Sequence, residues 1–413
     1  MIPLELDEVA ALAAGRLTRA PGAERVTGVQ VDSRRVRPGD LFVAVGRGVG
    51  FVDDALAHGA AATLVPEEPF EAFAALGVAV RERSNARVVG ITGSTGKTST
   101  KDILAALSAL AAQTVAAEAS YNNEIGVPLT LCRLELQTEV CILELAMRGF
   151  GQIADLCRIA QPEIGVVTNV GPAHLELVGS LEGVLRAKGE LVAALPPGGT
   201  AIVPEEFPVE RDDVSVVRLR EPELVLEDGR AVVGGVSFNF TSRHQAANAA
   251  AALAALDALG LPSPARADVQ FSRWRGEERE LPGGGLLIND AYNANPVSMR
   301  AALAHLADCA GARRRVAILG EMAELGPGAP AFHREIGEAV SHYGVHVLVA
   351  VGALARGYVD GATSVPLTRW VPGVPEAIAA AQELVDPGDC VLVKASRAVG
   401  LEAVAEALAA VGV

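Results

Sequence analysis

The sequence comprises 413 residues, of which half are hydrophobic and 21% are charged, and its formal net charge is −15. A chain of this length and composition forms about two to four domains with ample core, which excludes a disordered protein. The acidic balance argues against broad, nonspecific nucleic-acid binding, so we expect no nucleic-acid partner.

Strand-like and helical patterns alternate along the first two thirds of the chain. Residues 1–83 contain the short runs RVTGVQVDS, DLFVAVG and AATLVP and end in the polar RERSNAR. Residues 84–273 open with the apolar run RVVGITG, which passes directly into the helical pattern STKDILAALSALAA. The runs EVCILELA, EIGVVTNV and TAIVP follow, and this alternation predicts a mostly parallel sheet covered by helices. An alanine-rich helix is then predicted from about Gln245 to Leu259.

The last segment, residues 274–413, repeats the pattern. The apolar runs GLLINDAY, RRVAILGE, VHVLVAVG and DCVLVKA are each followed by a helical stretch, the first of them from about Val297 to Leu306. This spacing predicts a second α/β domain with a parallel sheet.

The strongest local motif is VVGITGSTGKTSTKDIL, in which an apolar strand, a glycine-rich turn and a helix follow one another. Glycines allow the tight turn, and the N–H groups and the helix N-terminus attract phosphate. The motif predicts Lys97 on the β- and γ-phosphates of a nucleotide and Thr98 on Mg²⁺. Ile91 occupies the first-glycine position of the longer G-x-x-x-x-G-K-[ST] motif, which weakens a GTPase or kinase interpretation. The predicted phosphate loop comprises Gly93, Ser94, Thr95, Gly96, Lys97, Thr98 and Ser99.

Only four of the 35 basic residues are lysines, namely Lys97, Lys101, Lys188 and Lys394. Arginine replaces lysine as a surface charge, but not as a compact charge on a phosphate or as an amine that must lose its proton. Lys101 is predicted to be a solvated charge on a helix face. Lys188, in RAKGE, is either a reactive amine or a surface lysine with a buried aliphatic stem.

Seven segments downstream of the loop carry a family resemblance: SYNNEIGVPLTL, LELAMRGFGQI, TNVGPAHLE, RAKGE, NDAYNANPVSM, GEMAELG and VKASRAVG. In this order, and over nearly the whole chain, they resemble the Mur ligases, ATP-dependent amide-bond-forming enzymes of peptidoglycan synthesis. NNEIGVPLT, NDAYNANP and GEMAELG resemble the branch that adds D-alanyl-D-alanine to UDP-N-acetylmuramoyl-tripeptide. The resemblance implies three α/β domains: 1–83 for the UDP substrate, 84–273 for ATP with a phosphate-loop parallel sheet, and 274–413, Rossmann-like, for the dipeptide.

Two strand ends supply candidate metal ligands. Glu144 ends VCILELA and His174 follows IGVVTNVG, and strand ends in parallel sheets face the ligand crevice. From the residues alone, a loop-capping carboxylate is the alternative for Glu144, and a structural role is the more usual one for a lone histidine such as His174. The resemblance implies two Mg²⁺ ions, with Thr98, Glu144, His174 and Lys188 as their ligands. Lys188 would carry a carbamate formed from CO₂.

The alanine-rich helix supplies candidate contacts to the adenine. His244 and Asn248 are spaced i and i+4 on one face. The resemblance places Asn248 near the adenine, while Gln245 stands where many members have another asparagine. A packed or capped helix start is the alternative.

Arg275 stands 15 positions before Asp290. By resemblance Arg275 reaches the ATP phosphates across the domain interface and Asp290 contacts the ribose. Asn293 and Asn295 would contact other polar edges of the nucleotide. A helix-capping or loop-capping role is the alternative for Asp290.

Candidate substrate contacts lie in all three segments. Asp32, Ser33 and Arg34 match a DSR signature near the UDP end, although GRGVGFVDDA replaces the longer loop of relatives. The resemblance places Asn122 and Asn123 near the sugar-phosphate end, and Lys394 or Arg397 could bind the dipeptide carboxylate. The predicted dipeptide crevice comprises Glu321, Met322, Glu324, Leu325, His333, Lys394, Ser396 and Arg397.

The implied reaction has two steps. The tripeptide carboxylate attacks the γ-phosphate of ATP, and the dipeptide amine then displaces phosphate from the acyl phosphate. Alternatives within the class are a sister Mur ligase or a folylpolyglutamate-type ligase that adds a single amino acid. A phosphate-loop motor, kinase or GTPase, and a member that binds without catalysing, belong to other classes.

The sequence also allows expectations about the cellular compartment, membrane insertion and oligomeric state. Five cysteines without a C-x-x-C pair argue against a disulfide framework or a zinc site and favour the reducing cytoplasm. The N-terminus lacks a signal-peptide pattern, and charges and prolines break every apolar stretch, so we expect no membrane insertion. We expect a monomer.

Overall fold

Three β-sheets covered by helices form the main bodies of the chain, in a computed structural model that describes residues 1–410. The N-terminal elements are β1 (Leu4–Glu5), α1 (Leu6–Leu12), β2 (Gly15–Arg19), β3 (Arg25–Val26), β4 (Gly28–Gln30), β5 (Asp40–Val43), α2 (Val52–Ala57), β6 (Ala62–Pro66) and α3 (Pro69–Arg81). Strands β2-β6-β5-β4 form a mixed sheet, and β1 pairs with β3. Phe73, Leu76 and Val80 of α3 are fully buried in a core that continues into the next domain, so packing is continuous across residue 83.

The central domain is built on a six-stranded parallel sheet of order β12-β11-β10-β7-β9-β8. Its elements are β7 (Arg87–Thr92), α4 (Lys97–Ser108), β8 (Thr114–Ala116), α5 (Gly126–Leu131), β9 (Val140–Glu144), α6 (Gln152–Ala160), β10 (Ile164–Val167), α7 (Leu175–Val178), α8 (Leu181–Ala193), β11 (Thr200–Pro204), β12 (Ser215–Leu219), β13 (Val225–Glu227), β14 (Arg230–Val233), β15 (Val236–Phe238), α9 (Arg243–Ala258) and β16 (Arg266–Ala267). Strands β9 and β10 are buried throughout, as is usual for a parallel sheet covered on both faces. The predicted alanine-rich helix is α9.

The third domain has a second six-stranded sheet, of order β17-β18-β22-β19-β20-β21, in which only the β17–β18 pair is antiparallel. Its elements are β17 (Glu277–Leu281), β18 (Gly285–Asp290), α10 (Pro296–Ala310), β19 (Arg315–Gly320), α11 (Ala329–His342), β20 (Val347–Val351), α12 (Arg356–Gly361), β21 (Leu367–Val371), α13 (Val374–Leu384), β22 (Cys390–Lys394) and α14 (Glu402–Ala410). The three-domain α/β prediction is confirmed. Within residues 1–410, no helix has both the length and the apolar character needed to cross a membrane.

Candidate active site

The carboxyl ends of three neighbouring strands bring the main candidates together. β7 lies between β9 and β10, and all three run parallel. The phosphate loop follows β7, Glu144 is the last residue of β9, and His174 lies in the loop after β10. Because parallel strands present their carboxyl ends at one edge of the sheet, the three segments face one crevice.

Two glycines shape the phosphate loop. Gly93 and Gly96 have φ angles of 149° and 79°, in the region that side chains disfavour. A Cβ at Gly93 would lie 1.9 Å from Thr168 Oγ1, and one at Gly96 would lie 2.2 Å from Asn248 Oδ1. Lys97 closes the turn, because its Nζ donates to the Gly93 carbonyl at 2.7 Å.

The loop is held by the segment after β10. Thr168 Oγ1 donates to the Thr95 carbonyl at 2.6 Å, and the Thr95 N–H donates to Asn169 Oδ1 at 2.9 Å. Ser94 Oγ donates to the Gly171 carbonyl at 2.9 Å. The motif TNVGPAHLE contains Thr168 and Asn169, but the sequence pattern gave them no role. Their position at the end of a strand adjacent to the phosphate-loop strand is the signal that could have identified them.

Glu144 is a buried carboxylate beside the phosphate loop. It is 1% exposed, and its Oε2 accepts a hydrogen bond from Thr98 Oγ1 at 2.7 Å. Its Oε1 accepts a hydrogen bond from Asn122 Nδ2 at 2.8 Å. Asn122, predicted near the sugar-phosphate end of the substrate, therefore positions the Glu144 carboxylate. Carboxylate and hydroxyl oxygens at this spacing are the donor type that Mg²⁺ prefers.

His174 connects the central and third domains. Its φ of 56° is unusual for a non-glycine residue, and its Nδ1 lies 2.5 Å from Glu324 Oε2. Burial and the charge of Lys97 lower the pKa of His174, although Glu324 acts in the opposite direction. A neutral ring that donates from Nδ1 to Glu324 leaves the Nε2 lone pair available to a metal.

Lys188 lies in the middle of α8 and is 2% exposed. Burial, and then the charge of Lys97, lower the pKa of Lys188 well below its ordinary value. Within residues 1–410 no carboxylate offsets this effect. The environment therefore favours the neutral amine, which is the form that adds CO₂.

Arg275 presents an unsatisfied donor to the same region. Its Nη2 donates to Ser120 Oγ at 3.2 Å, and its guanidinium lies 4.0 Å from the centre of the Tyr292 ring. Its Nε is buried and has no partner among the described residues. Burial, together with the charge of Arg275, lowers the pKa of Lys97, against the opposing effect of Glu144. The neighbouring positive charges of Lys97 and Arg275 favour the binding of an anion between them.

The start of α9 packs beneath the phosphate loop. Asn248 Nδ2 donates to Gln245 Oε1 at 2.9 Å, and Gln245 Nε2 donates to Ser99 Oγ at 3.4 Å. His244 lies instead against His305, with ring centroids 5.7 Å apart. Burial and the nearby His305 lower the pKa of His244 to about 4.

The loop after β18 is fixed by Lys394. Lys394 is 1% exposed, and its Nζ donates to Asp290 Oδ2 at 2.5 Å and to the Asn293 carbonyl at 2.9 Å. Asn295 caps α10 and donates from Nδ2 to the Ser94 carbonyl of the phosphate loop at 3.3 Å. Lys394 is thus paired with Asp290 and has no free charge for a dipeptide carboxylate.

Several predicted dipeptide contacts lie behind the crevice. Met322 and Leu325 belong to the hydrophobic core. His333 is fully buried; its Nδ1 donates to the Ala329 carbonyl at 2.7 Å and its Nε2 accepts the Met322 N–H at 3.0 Å. His333 therefore shapes the GEMAELG loop from behind.

The remaining third-domain candidates also support loops. Glu321 Oε1 accepts the Leu354 N–H at 2.8 Å, and Ser396 Oγ accepts the Ala323 N–H at 2.9 Å. Arg397 is exposed, and its guanidinium lies 4.4 Å from the centre of the Trp274 ring. Of this group, Glu324 is hydrogen-bonded to His174 and Arg397 donates to Glu402, although both side chains are partly exposed.

The N-terminal candidates form a local pair. Asp32 accepts the Arg34 N–H at 3.1 Å and its guanidinium at 2.9 and 2.7 Å. The hydrogen bonds from Arg34 lower the pKa of Asp32 to about 2. Ser33 is buried, and Asn123 Oδ1 accepts the N–H of Gly126, the first residue of α5, at 2.9 Å.

Lys101 differs from its prediction. It is 3% exposed, and its Nζ donates to the carbonyls of Ala117 at 2.8 Å and Ala119 at 3.1 Å. Its ammonium also lies 2.8 Å from Asp102 Oδ1. The prediction of a solvated helix-face charge was wrong, because α4 presents this side to the loop that leads to Asn122.

We expect Lys101→Met to lower the free energy of unfolding by about 3 kcal/mol, because it leaves the largely buried Asp102 carboxylate without its counter-ion, with only the hydrogen bonds from Ser272 remaining. The shift of the urea unfolding midpoint measures this loss. Lys101→Arg keeps the positive charge but not the hydrogen-bond geometry of the ammonium group. Its unfolding midpoint should lie between those of Lys101→Met and the natural protein. An unchanged midpoint in Lys101→Met would show that this lysine is solvated after all.

A phosphate loop at the carboxyl edge of one parallel-sheet domain, joined by Asn295 and Glu324 to a second such domain, is typical of a phosphate-loop ligase. The family model described as the Mur ligase middle domain matches residues 91–256, and the model described as the Mur ligase, glutamate ligase domain matches residues 274–397. The chain belongs to the Mur ligase family.

Relatives match along the whole chain. The UDP-N-acetylmuramoyl-tripeptide–D-alanyl-D-alanine ligase of Synechocystis is 34% identical, over 94% of this chain and 92% of its own. The ligase of the same description from Mycobacterium tuberculosis is 35% identical, over 99% and 98%. The crystal structure of MurF from Acinetobacter baumannii superposes with a TM-score of 0.82, at 26% identity, over 98% of this chain and 99% of that one. MurF from Thermotoga maritima, in complex with ADP, has a TM-score of 0.78 at 27% identity, over 92% and 96%.

Proposed function

We propose that this chain is an ATP-dependent ligase that joins D-alanyl-D-alanine to UDP-N-acetylmuramoyl-tripeptide in peptidoglycan precursor synthesis, forming ADP and phosphate. Relatives with this described activity match the chain from end to end. The observation that carries the proposal is the crevice itself, where Lys97, Arg275 and the start of α4 face a buried carboxylate, Glu144. Such a site accepts the phosphates of ATP with a metal.

The residues present fit the metal that the family implies. Thr98 and Glu144 would hold one Mg²⁺, and His174 with a carbamylated Lys188 would hold a second. The lowered pKa of Lys188 and the lowered pKa of His174, whose Nδ1 faces Glu324, support this set. The bound ions would neutralise phosphate charge during transfer.

The reaction brings two anions together, the tripeptide carboxylate and the γ-phosphate of ATP, and side chains of this protein reduce their repulsion. The tripeptide carboxylate attacks the γ-phosphorus and ADP leaves; the dipeptide amine then attacks the acyl carbon, loses a proton and releases phosphate. Lys97, the N–H groups of α4 and the unsatisfied Nε of Arg275 supply positive charge to the transferred group. The contacts of Asn295 and Glu324 with the central domain support a closed crevice that excludes water from the acyl phosphate.

Other assignments are parts of the same proposal. We assign residues 1–83 to the UDP substrate, 84–273 to ATP and 274–413 to the dipeptide. The dipeptide carboxylate would compete with Glu402 for the exposed guanidinium of Arg397. Asp290, positioned by Lys394, would contact the ribose. We place the enzyme, as a monomer, in the cytoplasm, and five unpaired cysteines support a reducing compartment.

Product mass tests the function. The protein is incubated with ATP, D-alanyl-D-alanine and UDP-muramoyl-tripeptides that differ in their third residue. We expect one of them to gain the mass of the dipeptide, with phosphate release that requires both acceptors. Gain of a single amino acid would favour the sister-ligase alternative. No gain with any tripeptide would refute the assignment.

We expect Gly96→Ala to lower ligase turnover by about 100-fold, because a displacement of the phosphate loop by about 1 Å has an effect of that size. The added Cβ would lie 2.2 Å from Asn248 Oδ1. Gly229→Ala is the matched control, since Gly229 has a similar φ of 73° but open space around it. Equal turnover in the two variants would mean that the added Cβ does not displace the phosphate loop, and it would contradict the prediction.

A further inference from the structure

A second group of metal-ligating side chains lies between β17 and α10. His305 Nε2 is 2.8 Å from Glu278 Oε1, and Cys309 Sγ is 3.5 Å from each ring nitrogen of His305. One donor atom from each of the three residues lies within 4.8 Å of the other two. None of these residues takes part in the crevice described above.

Local structure places the three donors together. His305 and Cys309 are one helical turn apart and share a face of α10. Glu278 pairs with Ile288 of β18, and Ile288 belongs to the core beneath α10. The side chain of Glu278 therefore stands on the sheet face that α10 covers.

The chemistry of the group is that of a zinc-type ligand set. A thiolate, an imidazole and a carboxylate suit Zn²⁺, whereas Mg²⁺ selects oxygen donors alone. With bonds of about 2.0–2.3 Å, donors around a tetrahedral zinc lie about 3.3–3.8 Å apart. The observed separations of 2.8 and 3.5 Å need only small adjustments to reach this range.

An ion can reach the group from solvent, and His244 of the central domain lies next to it. The Glu278 side chain is 40% exposed, while that of His305 is 4% exposed. The ring of His244 in α9 lies edge-on to His305 with centroids 5.7 Å apart. Two imidazoles on one tetrahedral zinc have centroids about 5 Å apart, so His244 can move into the fourth position.

We propose that Glu278, His305 and Cys309 bind a thiophilic divalent ion of the zinc class, at the junction of α9 and α10. The lack of a C-x-x-C pair does not exclude this site, because the group contains a single cysteine and takes a donor from a strand 27 residues before its histidine.

Cobalt absorption tests the site on the full chain. With Mg²⁺ in excess to occupy the oxygen ligands of the phosphate-loop crevice, Co²⁺ is titrated and the thiolate-to-cobalt charge-transfer band is recorded. We expect a band that saturates at one equivalent and is bleached by Zn²⁺. Cys309→Ser should abolish the band, and Glu278→Gln should weaken Co²⁺ binding by about tenfold or more.

The controls separate the site from adventitious binding. His342→Gln removes an exposed histidine from another helix and should leave the titration unchanged. Cys309→Ser should keep its ligase activity without added Co²⁺, which shows that it is folded. If Cys309→Ser does not fold, Glu278→Gln, on an exposed strand residue, decides the matter. A missing band in the natural protein, a band that survives Cys309→Ser, or unchanged affinity in Glu278→Gln would overturn the proposal.

Discussion

Lys188→Ala is expected to lower ligase turnover by about 10²–10³, the effect of removing one group that stabilises transition-state charge. The reason is that Lys188 would act as a carbamate, a carboxylate-like ligand for the second metal. Lys188→Arg should be as damaging as alanine, because arginine keeps its proton and cannot add CO₂. Phosphate release that depends on both acceptors measures the loss, and a short carboxylate such as acetate should restore part of it in Lys188→Ala.

The stability of a Lys188 variant provides a second readout. Lys188 is buried and has no carboxylate partner within residues 1–410. Alanine would also leave a cavity in place of the buried stem, so the stability test uses Lys188→Met, which removes the amine, keeps most of the stem and breaks no ion pair. We expect its unfolding midpoint to stay close to that of the natural protein, in contrast to Lys101→Met. Glu182→Gln, on the exposed side of α8, is the matched control for helix integrity. Full activity in Lys188→Arg would rule out the carbamate.

The parallel alignment of the central strands was predictable because it follows from simple burial. RVVGITG, EVCILELA and EIGVVTNV are continuous apolar runs, as strands covered on both faces must be. Their parallel alignment then fixes one edge of the sheet, and the phosphate loop, Glu144 and His174 lie on that edge. The location of the site thus followed from the sequence once the strands were recognised.

The direction of individual polar side chains was not predictable in the same way. Lys394 and His333 both belong to segments that border the crevice, but Lys394 turns back to Asp290 and His333 turns to the Met322 N–H. A polar residue near a strand end can serve the ligand or its own loop, and only contacts distant in sequence decide between them. Lys101 is the same case, since its carbonyl partners lie 16 and 18 residues away.

Arg275→Ala is expected to lower turnover by about 10³-fold or more, the range found for arginines that neutralise a transferred phosphoryl group. Its Nε is buried without a partner among the described residues, its guanidinium stacks at 4.0 Å on Tyr292, and its charge acts on Lys97. A phosphate oxygen would satisfy this donor. Arg275→Lys should recover little, because lysine lacks the planar fork that stacks and donates together.

Substitutions of Tyr292 distinguish the effect of the charge of Arg275 from the effect of its orientation. Tyr292→Phe keeps the ring and should retain turnover, whereas Tyr292→Leu removes the surface that orients the guanidinium and should lose activity while the charge remains. Removing Arg275 relieves its repulsion with Lys97 but loses its stacking on Tyr292, so we expect the stability of the Arg275→Ala protein without nucleotide to change by about 1 kcal/mol or less. A large loss of turnover with unchanged stability would identify Arg275 as a phosphate contact. Turnover within tenfold of the natural protein would leave the unsatisfied Nε without a ligand and would contradict the assignment.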